Sequence, residues 1–206
     1  MPRKDATPET LDRDLNVIRS LSPPAHEPGK PGLVILYGLP GSGKSCFGEL
    51  LSKRCGAVIL NSDHHRRAIV NGAPKYDGPE NKRLFDALNR RVEELLDQGQ
   101  VVIFDSTALR EWIRRPLEKI ASDRGLTPVR VHLDPPAEII FSRLLKRQPA
   151  PDPASGNETW RDVYDWMLPG WQPIAEPHLR ITNPERIPAD IEAVCQALCR
   201  YPAYPA

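Results

Sequence analysis

Apolar residues recur along the chain with two different periods, and the two alternate. Five short apolar or alternating runs predict strands, at residues 33–37, 57–61, 101–104, 127–133 and 178–181. Runs with apolar residues three or four positions apart predict helices, at residues 45–53, 81–98, 112–123, 135–147, 160–167 and 187–198. Pro116 is expected to limit where the helix at residues 112–123 begins. The alternation predicts a three-layer α/β fold, with a five-stranded parallel sheet between two layers of helices.

The first 31 residues differ from the rest of the chain. One amphipathic helical pattern is formed there by Leu11, Leu15, Ile18 and Leu21, and Thr10 precedes it as the expected N-cap. Residues 22–31 contain four prolines, which predict an extended linker. We therefore predict an N-terminal helix and linker over residues 1–31 and one domain over residues 32–206.

Composition limits the setting in which this chain works. Its 206 residues suit one ordinary α/β domain, and a formal net charge of +1 gives no global basic excess. Any nucleic-acid partner must therefore be held by a local patch. No apolar run approaches the length of a membrane span, and the first twenty residues lack the apolar segment of a signal peptide. We expect a cytoplasmic protein without a membrane partner, whose cysteines are reduced thiols.

The first predicted strand leads directly into a glycine-rich stretch, GLPGSGKS, at residues 38–45. It fits G-x-x-x-x-G-K-[ST] at every fixed position, with an apolar strand before it and a helical pattern after it. Such a loop turns its backbone N–H groups toward phosphate oxygens, and the helix that follows offers its positive end. Lys44 is expected to reach the β- and γ-phosphates, and the Ser45 hydroxyl to bind Mg²⁺. The nucleotide contacts expected in this stretch are Gly38, Gly41, Ser42, Gly43, Lys44, Ser45 and Cys46.

Acidic residues follow the second and third predicted strands. Asp63 comes two residues after Asn61, and Asp105 directly follows the run at 101–104. In open α/β sheets, ligands bind at the carboxyl ends of the strands. Asp105 is therefore expected to hold or orient the Mg²⁺ shell, directly or through water. Asp63 is expected to accept a proton from a substrate hydroxyl, or alternatively to cap the helix that follows.

The rest of the chain separates the protein classes that use such a loop. A switch GTPase needs an N-K-x-D type motif, and the Asn81-Lys82 pair lacks its acidic position. A motor ATPase usually places Glu after the strand-end Asp, whereas Ser106 follows Asp105 here. A kinase needs an acidic group for the acceptor, cations for the transition state and a cover that excludes water. The sequence offers a candidate for each.

The cationic candidates lie at the end of the predicted helix 135–147. Arg143 and Arg147 share one helix face, and a proline-rich stretch follows them. We predict that residues 143–157 form a small lid in which both arginines clamp the transferred phosphoryl group, Arg143 also contacting ATP. The plainer alternative is that the two arginines only complement the negative end of their helix.

Four features in this order resemble the P-loop kinases related to phage polynucleotide 5′-kinase and the zeta toxins, an ATP-binding kinase group of the AAA_33 type. They are the loop at 38–45, Asp63-x-x-Arg66, Asp105-Ser-Thr and Arg143-x-x-x-Arg147. The resemblance covers roughly residues 32–182. It implies a P-loop NTPase fold of the nucleoside-monophosphate-kinase type, with ATP and Mg²⁺ as cofactors. It also implies that Asp63 is the general base, that Arg66 binds an acceptor phosphate and that Arg147 is the catalytic arginine.

By this resemblance, the favoured acceptor is the 5′-hydroxyl end of a polynucleotide, with Asp63, Arg66 and Asp105 as its contacts. Two alternatives stay open. Small-molecule kinases with a gluconate-kinase-like layout share a strand-end Asp and lid arginines, so a sugar, nucleotide-sugar or antibiotic acceptor is the second hypothesis. A regulatory nucleotide-binding module without transfer activity, contacting a partner through the N-terminal helix, is the third. The adjacent His64 and His65 are expected to be solvated, because neighbouring residues do not face one ligand on a helix.

Overall fold

Within residues 8–25, 27–70, 72–146 and 159–200, which the computed structural model describes, five strands form one parallel sheet. The strands are β1 (Gly32–Tyr37), β2 (Val58–Asn61), β3 (Val101–Asp105), β4 (Val129–Leu133) and β5 (Leu179–Ile181). Their order across the sheet is β2-β3-β1-β4-β5. β1 is therefore the central strand, and all six of its residues are buried. This confirms the predicted five-stranded parallel α/β fold.

Helices cover both faces of this sheet. They are α1 (Pro8–Leu21), α2 (Lys44–Cys55), α3 (Ser62–Ile69), α4 (Gly78–Asp97), α5 (Glu111–Ser122), α6 (Ala137–Lys146), α7 (Trp160–Met167) and α8 (Ile187–Arg200). One core packs α1, α3, α4 and α5 against the face that carries Ile35 and Tyr37. A second core packs α2 and α8 against the opposite face, which carries Val34 and Leu36. None of the described helices is long and apolar enough to cross a membrane.

The N-terminal helix is part of the first core. Ile18 is fully buried against the α4 side of the sheet, and the buried Asp14 carboxylate pairs with Arg83 of α4. Arg83 also donates to the carbonyl of Ile69, at the end of α3, at 2.7 Å. The proline-rich segment that follows runs beside the start of β3, where the Gly29 N–H donates to the Gly99 carbonyl at 3.1 Å. α1 therefore braces both α3 and α4.

Several local predictions need correction. Thr10 lies inside α1 and is not its N-cap. α5 begins five residues before Pro116, which stands inside it, so this proline does not set the helix start. The helix that the capping alternative for Asp63 implies is present as α3, although the polar residues that follow β2 carry too little apolar periodicity to predict its bounds. In that helix His64 is exposed as expected but His65 is buried, so the prediction of a solvated pair is wrong for His65.

Candidate active site

The glycine-rich loop connects β1 to α2 at the centre of the carboxyl edge of the sheet. Gly38 has φ +143°, and a Cβ on it would lie 2.5 Å from the Leu133 carbonyl oxygen, so the turn requires glycine. The Gly38 N–H donates to the Thr107 carbonyl at 3.3 Å, which joins the loop to the segment after β3. The Lys44 ammonium lies within the loop and donates to the Leu39 carbonyl at 3.0 Å. Ser45 and Cys46 are exposed in the first turn of α2.

Asn61, which has no predicted role, hydrogen-bonds both to Asp105 and to the first turn of the helix that carries Asp63. It lies opposite Asp105 in the register of β2 and β3, and its Nδ2 donates to Asp105 Oδ2 at 2.5 Å. Its Oδ1 accepts from the His64 N–H at 2.8 Å, so Asn61 is the N-cap of α3. Asp63 therefore does not cap the helix; it is exposed in the first turn. Asp105 is buried, with 3% of its surface exposed.

Arg66 lies one helical turn after Asp63 and is buried, with 4% of its surface exposed. Its guanidinium donates to Glu80 at 2.5 Å and to the Asn81 amide oxygen at 2.7 Å. It also lies over the ring of Tyr76, 4.6 Å from the ring centroid. We call these four residues the Arg66 cluster. Two hydrogen-bonding positions of Arg66 are thus already occupied by protein, although its Nε has no partner within the described residues.

Arg143 of α6 contacts the backbone of the phosphate-binding loop. Its Nη1 donates to the carbonyls of Gly41 at 3.3 Å and Ser42 at 3.0 Å. A Cβ on Gly43, where φ is +101°, would lie 3.0 Å from the same nitrogen. The structure thus brings Arg143 to the loop. Arg147 and most of the predicted lid, residues 147–157, lie outside the described residues.

Two histidines near this edge are held in the neutral form. Burial lowers the pKa of His132 to about 4, and the nearby His178, Arg180 and Lys44 act in the same direction. The His132 ring stacks on Trp171, with centroids 4.7 Å apart. Burial also lowers the pKa of His65, whose Nδ1 is 2.7 Å from the Asn61 carbonyl oxygen. Neither side chain therefore adds positive charge beside the loop at neutral pH.

The residues present fit a magnesium nucleotide. The glycine turns leave a cradle that a Cβ would fill, and Ser45 and Asp105 offer a hydroxyl and a carboxylate oxygen, which are hard donors that suit Mg²⁺. Mg²⁺ usually takes one or two protein oxygens and completes its shell with water and substrate phosphate. No group of three or more His, Cys, Asp or Glu side chains in the described part of the chain is arranged to hold a metal.

Comparison with known proteins identifies the family. The family model AAA_33, an AAA domain, matches residues 33–168. L-seryl-tRNA(Sec) kinase of Methanococcus maripaludis is 29% identical over 148 residues, which are 66% of this chain and 56% of that protein. The match therefore spans little more than half of the archaeal kinase. A probable gluconokinase of Rattus norvegicus is 31% identical over 140 residues, which are 57% of this chain and 74% of that protein.

Solved structures share the fold. The APS kinase CysC of Mycobacterium tuberculosis, in complex with AMPPNP and APS, superposes with a TM-score of 0.62 at 21% identity, over 84% of this chain and 99% of that chain. None of these matches singles out the polynucleotide 5′-kinases within the wider group of P-loop kinases. The chain belongs to the AAA_33 family, and its domain has the P-loop kinase fold.

Proposed function

We propose that this protein is an ATP-dependent kinase that transfers the γ-phosphate to a hydroxyl group of a small-molecule acceptor. The observation that carries the proposal is the Asn61–Asp105 hydrogen bond of 2.5 Å, because it fixes the ends of β2 and β3 side by side at the edge that holds the loop. Two carboxylates with different surroundings result: Asp105 is buried, and Asp63 is exposed. A kinase needs this combination of one acid for the metal shell and one for the acceptor.

Each residue then has a role. Lys44 and the loop N–H groups bind the phosphates, and Ser45 and Asp105 hold the magnesium shell, Asp105 directly or through water. Magnesium, when bound, offsets the charge of the phosphate oxygens. Asp63 accepts the proton of the acceptor hydroxyl as that oxygen attacks the γ-phosphorus and ADP leaves. Arg143 braces the loop, and Arg147 supplies positive charge to the transferred group.

The surroundings of Arg66 bear on the identity of the acceptor. The resemblance that favours a polynucleotide 5′-kinase implies that Arg66 binds an acceptor phosphate. Here Arg66 is buried and donates to Glu80 and Asn81. A small acceptor without a phosphate at this position fits the Arg66 cluster better, which favours the small-molecule alternative. The regulatory module is disfavoured because α1, its proposed partner contact, packs in the core.

The direct test is phosphate transfer from labelled ATP in the presence of Mg²⁺. Acceptors of separate classes are offered in parallel: pyranoses, sugar acids, nucleosides and a 5′-hydroxyl oligonucleotide. We expect label in one or more small-molecule arms. Label in the oligonucleotide arm alone would restore the polynucleotide hypothesis. ATP binding without transfer to any acceptor would contradict the kinase proposal.

The Asp63→Asn variant tests the assigned base. We expect it to lose turnover while its affinity for ATP changes little, because Asp63 contacts the acceptor and not the nucleotide. Lys44→Ala is expected to lose both. Asp86→Asn, which alters a partly exposed carboxylate paired with Lys82 on α4, is the matched control and should behave as the wild type. Undiminished turnover in Asp63→Asn would exclude Asp63 as the base.

A further inference from the structure

Tyr76 has a backbone conformation that bulky side chains rarely adopt. Its φ is +52°, in the left-handed region that favours glycine, asparagine and aspartate. Such a conformation costs free energy and persists where the surroundings hold it. Glycines lie nearby in the sequence, at Gly72 and Gly78, yet the strained position carries tyrosine. A large aromatic side chain therefore occupies a position whose backbone conformation favours glycine.

The backbone of Tyr76 is held on both sides by α4. Its N–H donates to Glu80 Oε1 at 3.1 Å, and its carbonyl accepts from the Asn81 amide at 3.0 Å. Glu80 also accepts from the Lys75 N–H at 2.8 Å. Because the same two α4 side chains bind the guanidinium of Arg66, backbone and ring are fixed by one set of contacts.

The ring of Tyr76 contacts Arg66, and the residue remains partly exposed. The Arg66 guanidinium lies 4.6 Å from its centroid, and 37% of the surface of Tyr76 remains exposed. An exposed tyrosine on a loop normally samples several rotamers, and fixing it costs conformational entropy. Here the contacts of the Arg66 cluster already order the tyrosine side chain. A group that binds the ring therefore loses less free energy to ordering of this side chain.

The phenol lies in the electrostatic field of the proposed base. Burial is the main cause that raises the pKa of Tyr76, and the negative charge of Asp63 is the second. Asp63 and Arg66 lie one turn apart on α3, and Arg66 contacts the ring of Tyr76. The ring therefore lies beside the helix that carries the carboxylate to which an acceptor hydroxyl must come.

We propose that Tyr76 is the acceptor platform of this enzyme, and that the acceptor carries a ring whose face lies on it. The inference rests on the proposed function and deepens it, because it names the chemical class of the acceptor. The shared chemistry is a ring face that packs against an aromatic side chain, supplied either by a planar nucleobase or by the C–H face of a pyranose. An open-chain hydroxy acid offers no such face. Arg66 is then a positioning residue, which holds the platform instead of binding an acceptor phosphate.

The experiment measures binding independently of turnover. Nucleosides and pyranosides are titrated calorimetrically into protein saturated with Mg²⁺ and a non-hydrolysable ATP analogue. Tyr76→Asn removes the ring but tolerates the left-handed backbone. We expect it to weaken binding of one ring class about tenfold or more, as loss of a stacked aromatic does. Tyr76→Phe retains the ring and should stay within about threefold of the wild type.

Controls separate this inference from the proposed function. ATP affinity should be unchanged in both variants, and Leu50→Asn, at an exposed apolar position on α2, should leave ring binding unchanged. Wild-type protein that binds neither ring class, or Tyr76→Asn protein that binds as tightly as the wild type, would overturn the platform. If ring binding depends on Tyr76 but no phosphate is transferred, the result contradicts the proposed kinase function and supports Tyr76 as a binding site for the ring.

Discussion

The amide of Asn61 donates to the carboxylate of Asp105 at 2.5 Å while its oxygen caps α3. One side chain thus orients the buried acid and starts the helix that carries Asp63. We expect Asn61→Ala to lower the free energy of unfolding by about 1–2 kcal/mol, from the lost cap. We also expect turnover to fall at least tenfold, because the orientation of Asp105 is lost. Denaturant unfolding and steady-state kinetics measure the two effects.

Two variants separate the roles of Asn61. Ser52→Ala removes a hydrogen bond of 2.6 Å to the Ala57 carbonyl on the α2 side, so it tests stability loss without altering Asp105. Asn61→Asp can still cap α3, but it places a second carboxylate against Asp105. It should therefore retain more stability than Asn61→Ala and remain impaired in turnover. Normal turnover in Asn61→Asp would contradict a role for this pair in catalysis.

Arg143 braces the phosphate-binding loop through the Gly41 and Ser42 carbonyls. Arg143→Ala removes both hydrogen bonds, so we expect the dissociation constant for ATP to rise about tenfold. Titration with a fluorescent ATP analogue in Mg²⁺ measures this change. Lys146→Ala, at an exposed position on the same helix, is the matched control. If the two variants weaken ATP binding equally, Arg143 contributes only its positive charge and not its hydrogen bonds to the loop.

Arg147 is predicted to act on the reaction itself. Its contact with the transferred group forms mainly in the transition state, so Arg147→Ala should lower kcat by about 10³-fold and leave ATP affinity nearly unchanged. Single-turnover kinetics with saturating ATP separate chemistry from binding. A loss of affinity equal to the loss in kcat would identify Arg147 as a ground-state ligand.

The buried Asp14 carboxylate ties α1 to Arg83. Asp14→Ala leaves the Arg83 guanidinium without its charged partner, and we expect the free energy of unfolding to fall by about 1–3 kcal/mol. The Asp14→Ala, Arg83→Ala double variant should lose less than the sum of the single losses, because the two side chains interact. Asp86→Ala, which breaks the partly exposed Lys82 pair, should cost less than about 1 kcal/mol. Additive losses at Asp14 and Arg83 would show that the pair is not coupled.

His132 is expected to make the fold sensitive to acid. Its pKa in the folded protein is about 4, below its ordinary value of 6.5. The unfolded chain therefore binds the proton first, so the stability that neutral His132 provides is complete above pH 6.5 and is lost as pH falls toward 4. His132→Phe retains an aromatic ring on Trp171 and should flatten the dependence of Tm on pH in this window. His65, whose pKa burial also lowers, contributes to the slope that remains. An unchanged slope in His132→Phe would contradict this assignment.

The sequence was sufficient for features that depend on local pattern. The loop at residues 38–45 and the strands predicted the sheet, and because parallel strands bring their carboxyl ends to one edge, they also predicted that Asp63 and Asp105 follow strand ends at that edge. The Asn61–Asp105 bond was not predictable, because it depends on register between strands whose bonded side chains lie 44 positions apart. The burial of Arg66 was missed for the same reason, since Glu80 reaches it only when α4 packs beside α3.

The central position of β1 also bears on how the chain is made. Both neighbours of β1, which are β3 and β4, come later in the sequence. A nascent chain that has produced the apolar β1 must therefore keep it unpaired while α2, β2, α3 and α4 are synthesised. Parallel pairing of this kind has a high contact order, which slows folding and lengthens the time for which apolar segments are exposed. The phosphate-binding loop can reach its folded form only after β3 has left the ribosome.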